Sequence, residues 1–326
     1  VRAVRPPSPN AGSARERPSF QRRRLARRLA TIAAIFVFGL ALGIAVYRVV
    51  AARALDREIA RTPRDGATGI AIGTEPCEVG PVDAAGAVLL LHGYLGSRKD
   101  LADLADRLVE RGWFVREPLL PGHGRTPRDL AAVGVEESIE AARAELAGLR
   151  ERFDRVAVVG FSMGGSLATI LAAEGGVDRV VLVAPYYEVT HRWFYVLPPG
   201  TWNAMLSPVL PYVMKTDGFI KINRREAIPN IFTYRTVPTR SARELAKLGL
   251  RAQSAETLAA IDCPVLLLHS EGDRAADPAA SRRAFEAIGA KEKQSRFYTE
   301  RSNHLLLWDY DAEDVKERVL AFLGNP

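Results

Sequence analysis

The sequence predicts an α/β fold: a mostly parallel central sheet flanked by helices, with one inserted segment, carried behind an amino-terminal transmembrane helix. Three observations predict it. An uncharged apolar run of 19 residues lies near the amino terminus, short apolar runs alternate with amphipathic stretches from about residue 75, and one long interval breaks that alternation.

The first element is LATIAAIFVFGLALGIAVY, Leu29–Tyr47, which with its flank gives a transmembrane helix over residues 29–50. At a helical rise it covers about 28 Å, close to the thickness of a hydrocarbon core. A buried core helix and a cleavable signal peptide are the competing readings. The apolar region of a signal peptide usually ends after about 7–15 residues, sooner than this run, although Ala52-Arg53-Ala54 has the small-x-small form of a cleavage site. Nine arginines precede the span (Arg2, Arg5, Arg15, Arg17, Arg22, Arg23, Arg24, Arg27 and Arg28), whereas five follow it, diluted by Asp56 and Glu58. The positive side stays cytoplasmic, which puts the downstream domain in a periplasm or outside the cell. Residues 1–28 form a basic tail, and its first 20 residues, rich in Pro, Ser and Arg, have too little to bury to fold. Residues 51–74 read as a tether.

The formal net charge of +7 belongs to this front end. Residues 1–64 hold 14 Arg and three acids, which leaves 31 Lys and Arg against 35 Asp and Glu for the rest of the chain. The globular part therefore has no electrostatic reason to bind nucleic acid. Cys77 and Cys263 are too few for a disulfide framework and too distant in sequence for a metal-binding pair. They read as small buried hydrophobes, with one bridge permitted if the domain is exported.

Residues 75–326 carry the α/β pattern. AVLLL (87–91), WFVREPLL (113–120), RVAVVGF (155–161), RVVLVAP (179–185), CPVLLLH (263–269) and SRFYTE (295–300) read as strands. Leu101, Leu104 and Leu108 share one helical face, as do Ile139, Leu146 and Leu149, and Val315, Val319 and Phe322 mark a last helix. Residues 186–260 exceed what a crossover helix needs. With Trp193, Phe194, Tyr195, Trp202 and Tyr212 requiring something to cover, they read as an inserted cap.

Gly160-Phe161-Ser162-Met163-Gly164-Gly165 directly follows the run RVAVVGF and opens a stretch of small helical residues. Strand, sharp turn and helix push a serine hydroxyl out above the sheet, and the crowded backbone requires glycine two positions either side. Ser162 is the candidate nucleophile. A serine needs a histidine base and an orienting acid, in the chain order Ser, acid, His. Of five histidines, His92 and His123 precede Ser162, His191 lies in the insertion and His269 lies within a strand. His304 remains, in the loop ERSNH ahead of the last helix. In LLLHSEGDRAADP, which leaves a strand for a loop, Asp273 is the preferred acid and Asp277 its rival, although Asp277-Pro278 also reads as the start of the next helix. Glu271 and Asp309 are weaker candidates. A tetrahedral intermediate needs two N–H donors. The backbone of Met163, after the nucleophile, supplies one, and the loop LLLHGYLGS supplies the other at Tyr94.

LLLHGYLGS, LLPGHGRTP, GFSMGG, LLLHSEGDRAADP and SNHLLLWD occur in this order at sensible spacing. With them the chain resembles the monoacylglycerol lipase and thermophilic carboxylesterase branch of the α/β-hydrolases over residues 75–326. The resemblance implies Ser162, Asp273 and His304 as triad, Tyr94 and Met163 as oxyanion donors, a site entrance shaped by Pro121–Gly124, and a cap over an acyl pocket. It also implies cleavage of carboxylic esters, whether short-to-medium acyl esters, monoacylglycerols or lysophospholipid-like molecules, with no metal or organic cofactor. Asn303 departs from the family pattern, which often has Gly before the histidine. Thioester or amide hydrolysis on the same triad, and a non-catalytic membrane scaffold, are the alternatives.

Overall fold

A computed structural model describes residues 18–190, 196–299 and 301–326. His191, Trp193, Phe194 and Tyr195 of the insertion, Glu300 and the tail before residue 18 lie outside the described residues. Contacts divide the chain between Val50 and Ala51 into two compact units.

The first unit is most of a 44-residue helix, α1 (Pro18–Arg61). Its side chains from Leu25 to Val50 are mostly exposed, Phe36 and Phe38 by about 70%. Helices that are apolar all round belong in a lipid or protein interior. Among the described residues this is the one helix long and apolar enough, by length and composition, to cross a membrane. It extends beyond the span expected at 29–50 in both directions. Residues 51–74, read as a tether, carry α1 on to Arg61 and then turn back through an isolated bridge between Arg64 and Ala71.

The second unit follows the alternation of the sequence. In chain order it contains β1 (Cys77–Val79), β2 (Gly86–Leu91), α2 (Leu104–Glu110), β3 (Phe114–Glu117), α3 (Pro127–Ala132), α4 (Val135–Arg150), β4 (Arg155–Phe161), α5 (Met163–Glu174) and β5 (Arg179–Val183). The interval after β5 holds α6 (Pro199–Leu206), β6 (Tyr212–Met214), β7 (Thr236–Pro238), α7 (Thr239–Ala252) and α8 (Ala255–Ala260). The chain then closes with β8 (Val265–Ser270), α9 (Pro278–Ala287), β9 (Lys293–Tyr298) and α10 (Ala312–Leu323).

Among the described residues one seven-stranded sheet runs β1-β3-β2-β4-β5-β8-β9, parallel except for β1 on β3. Alternating residues of β2 feed two cores. Ala87, Leu89 and Leu91 pack with α4, α5 and α7, whereas Val88 and Leu90 pack with α2 and α10. The six expected strands are present, β4 with the expected ends and the other five with one or both ends shifted. Three more, β1, β6 and β7, have only three residues each, too few for a period-2 signal.

The interval after β5 has two parts. Up to Pro238 it holds the segment expected as a cap, in which β6 and β7 pair antiparallel. Residues 239–260, read with the insertion, instead form α7 and α8, whose Leu248, Ala252 and Leu258 join the main core. Cys77 and Cys263 are both free. β1 and β8 are five places apart in the sheet, about 24 Å at the usual strand spacing, far beyond the reach of a disulfide.

The carboxyl ends of β2, β4, β8 and β9 release the loops that carry His92–Ser97, Ser162, Glu271–Asp277 and Ser302–His304. The candidate residues therefore collect at one edge of the sheet, where parallel α/β folds place their ligands.

Candidate active site

Ser162 sits between β4 and α5 at φ 53° and ψ −114°, a left-handed conformation that is strained for a residue with a side chain. Its amide donates to Val183 O at 3.0 Å, and its carbonyl accepts from Gly165, Ser166 and Tyr186. A Cβ on Gly160 would lie 2.2 Å from Gly164 O, and one on Gly164 would lie 2.1 Å from Leu91 O. Neither position admits alanine unless the strand–helix crossing opens, so the glycines hold the turn sharp.

His304 bridges two side chains, with Nε2 2.8 Å from Ser162 Oγ and Nδ1 2.6 Å from Asp273 Oδ2. Asp273 is 3% exposed. Burial alone would raise its carboxyl, but the charge of His304 and the hydrogen bonds from His269 and His304 outweigh it and hold the group below the usual carboxylate range. An ionised carboxylate only accepts, so His304 Nδ1–H donates to it, and Nε2 is left with a lone pair for the Ser162 hydroxyl proton.

The remaining carboxylate valences are filled. Oδ1 accepts from the Ala275 and Ala276 amides at 2.7 and 2.9 Å, and Oδ2 also accepts from His269 Nε2 at 3.0 Å. His269, set aside in the sequence as a strand residue, is thus a support for the acid. Its other nitrogen, Nδ1, meets Ser281 Oγ at 2.9 Å. Its signal was its place at the end of β8, four residues before Asp273.

The rival acids lie elsewhere. Asp277 caps α9 and accepts from Ala279 N at 3.0 Å. Glu271 pairs with Arg282 at the surface. Asp309 is buried and accepts from the amides of Asn223, Arg224 and Asn303, holding the histidine loop from behind. Asn303, where the family often has glycine, accepts on Oδ1 from Arg274 N at 3.0 Å and His304 N at 2.9 Å, and so ties the acid loop to the histidine loop.

The loop that carries Tyr94, the candidate oxyanion donor, is clamped at two points. His92 Nε2 accepts from Leu120 N at 3.1 Å, so the ring proton is on Nδ1, which donates to Gly93 O at 2.9 Å. Burial, reinforced by neighbouring His123, pushes His92 down to about 3 and keeps it neutral. In a trans peptide the Tyr94 N–H points opposite to the Gly93 carbonyl, away from His92. One residue back, Gly93 N–H donates to Asp100 Oδ2 at 3.0 Å. Among the described residues the Tyr94 and Met163 amides have no protein acceptor. Both residues line a small, partly open pocket with Leu130, Val135 and Leu248. His123 of the Pro121–Gly124 loop also lines it, buried and lowered to about 4 by burial.

A strained serine at a strand–helix turn, backed by a histidine and a buried carboxylate above a mostly parallel sheet, defines a serine hydrolase of the α/β-hydrolase fold, of the esterase and lipase kind. Residues 82–311 match the family described as serine aminopeptidase, S33, and the chain belongs to that family. It is 29% identical over 257 residues to a thermostable monoacylglycerol lipase of Bacillus sp. (strain H-257), covering 78% of this chain and 95% of the relative. It is 23% identical over 239 residues to a carboxylesterase of Bacillus subtilis (strain 168), covering 73% and 92%. Among solved structures it resembles one of the metagenome-derived lipolytic enzymes described under the names LipS and LipT. That match has a TM-score of 0.69 and 25% identity, and covers 78% of this chain and 98% of the other.

Proposed function

We propose that this protein hydrolyses carboxylic esters through an acyl-enzyme on Ser162, with His304 as base, Asp273 as its orienting acid and the Tyr94 and Met163 amides as oxyanion donors. The observation that carries the reading is the His304 bridge, 2.8 Å to Ser162 Oγ and 2.6 Å to the buried Asp273. His304 Nε2 takes the hydroxyl proton as Oγ adds to the ester carbonyl. The two amides then receive the negative oxygen, and His304 returns the proton to the leaving alcohol. Water repeats the sequence on the acyl-enzyme and restores the serine.

The substrate class proposed is an ester with a short-to-medium acyl chain, such as a monoacylglycerol or a lysophospholipid-like molecule, as in the monoacylglycerol lipase branch. The names of the two relatives, a monoacylglycerol lipase and a carboxylesterase, support it. So does the cap, where Trp202, Met205, Val213 and Phe219 are exposed apolar side chains, a surface suited to lipid-like molecules. The family description keeps amide bonds as a second reading. Hydrolysis rates for esters of graded acyl length, their thioesters and aminoacyl amides, measured side by side, test it. The expected order is medium-chain ester first and amide last. Preference for acetyl esters alone, or for the amide, would overturn the substrate class.

α1 is proposed as a single span with the amino terminus cytoplasmic and the hydrolase unit periplasmic or extracellular, on the arginine asymmetry of its flanks. A reporter enzyme active only outside the cytoplasm, fused after Pro326, should be active. Activity only of a cytoplasmic reporter would reverse the orientation.

A further inference from the structure

The end of α1 is built into the cap. The hydrolase unit begins at Ala51, so the last turns of the helix belong to it, and Ala51 and Leu55 are buried there. On the next turn the two oxygens of Glu58 accept from two consecutive cap amides, Arg235 N at 2.7 Å and Thr236 N at 2.8 Å. Hydrogen bonds from amides to a carboxylate are about twice as strong as neutral ones. The preceding amide, Tyr234 N, donates to Leu95 O at 3.1 Å. Leu95 follows Tyr94 directly and is held at φ 68°, a conformation that strains any residue with a Cβ. Three successive N–H groups of one cap segment thus join the helix end to the loop carrying the Tyr94 amide. Two further bonds fasten the same corner: Tyr234 Oη donates to Gly122 O at 3.0 Å, and the Arg64 guanidinium donates to Arg125 O at 3.1 and 3.0 Å.

We propose that Glu58 is a positioning residue for the hydrolase reaction, holding the cap segment that holds the oxyanion loop, so that the hydrolase unit works at full rate only with residues 51–64 in place. The inference rests on Tyr94 being an oxyanion donor. Without Glu58 the Arg235 and Thr236 amides turn to water, the 234–236 segment shifts, and Leu95 O loses its partner. The left-handed turn at Leu95 is then free to relax, carrying the Tyr94 N–H away from the line fixed by His92. The family match spans residues 82–311, so this contribution comes from the part of the chain ahead of it.

The test uses the full chain in detergent, with turnover of a soluble p-nitrophenyl ester measured per fluorophosphonate-titrated site. Glu58→Ala should lower kcat about tenfold, less than the hundredfold or more that follows outright removal of an oxyanion donor. Glu58→Gln, which keeps one acceptor, should fall between Glu58→Ala and wild type. Asp56→Ala, which removes only the exposed pair with Arg128, should match wild type. A kcat per titrated site within about twofold of wild type in Glu58→Ala overturns the proposal, even if Tm falls, because a purely structural role lowers the number of active sites and not their rate. If Glu58→Ala cannot be recovered folded, Glu58→Gln decides: unchanged turnover together with unchanged amide exchange over residues 234–236 overturns it. A wild-type chain that takes up no fluorophosphonate fails the hydrolase reading first, and this inference with it.

Discussion

The Ser162 turn and the expected cap sit on the same edge of the sheet and are held by different means. At the turn, backbone packed against backbone sets the geometry: Gly160 against Gly164, Gly164 against the end of β2, Ser162 N against the next strand, and a left-handed φ at Ser162. In the cap, short elements depend on distant partners, with Thr236 of β7 on Glu58 and Tyr234 just ahead of it on Leu95, and α6 has no buried side chain. Locally fixed geometry suits a group that must not move during a reaction. Geometry held at long range suits a surface that admits different substrates.

The widest gap between the two regions is expected on removing the proposed nucleophile. Ser162→Ala should lower ester turnover by about 10⁵-fold or more and abolish fluorophosphonate labelling, with unfolding in denaturant unchanged. Labelling equal to wild type would mean that another residue is the nucleophile. Next in size, Asp273→Asn should cost about 10⁴ in kcat by leaving His304 in the wrong tautomer, whereas Asp277→Ala should cost only about 1 kcal/mol of stability through the lost α9 cap. Equal kinetic losses would reverse the choice of acid. Asn303→Gly, which restores the residue common in the family, should lower kcat by about tenfold and stability by about 1–2 kcal/mol, because the buried His304 amide and the part-buried Arg274 amide lose their acceptor.

The pH dependence sharpens the contrast on the stability side. His92 and His123 are lowered to about 3 and 4 by burial, below their unfolded value, so the unfolded chain takes up protons that the folded chain refuses. Their stabilisation is present above about pH 6.5 and is lost as the pH falls, by about 2 kcal/mol for each between pH 7 and 5. Asp100 and Glu117, raised to about 7 by burial, act in the opposite direction: the folded chain keeps protons that the unfolded chain has released, so their contribution falls as the pH rises toward 7. The variants separate the two pairs. Relative to wild type, His123→Gln should gain about 2 kcal/mol at pH 5 over pH 7, and Asp100→Asn should lose about as much over the same interval, as read by denaturant titration. The smallest effect is expected from reductant, which should leave Tm unchanged because Cys77 and Cys263 are both free.

What the sequence made legible divides along the same line. The strand–turn–helix at Ser162 is written in adjacent residues, and the inner strands β2, β4, β5 and β8 in apolar runs. The His304 position followed from elimination among five histidines. Asp273 and Asp277 could be ranked but not separated, because both leave the same strand; the fold separates them by turning one carboxylate under His304 and the other onto the first turn of α9. Asn303 ties to Arg274 and Asp309 to Asn223, 29 and 86 residues away, and nothing local marks such bonds; the one sign of His269 was its place four residues before Asp273. The continuation of α1 to Arg61 and the assignment of residues 239–260 to the core were hidden for a related reason: an apolar span and a long insertion say where a pattern changes and not where an element ends.

The outer strand β9 has a consequence for copies of the chain that meet one another. Its sequence, KQSRFY, exposes Gln294, Ser295 and Arg296 along the open edge of a sheet otherwise made of Val and Leu runs. An unpaired edge is a template for intermolecular sheet growth, and charged or strongly hydrated side chains are what prevent it. Crowding should therefore leave this edge unpaired, and replacing Arg296 and Gln294 with valine should convert a dispersed protein into one that self-associates through β-strands.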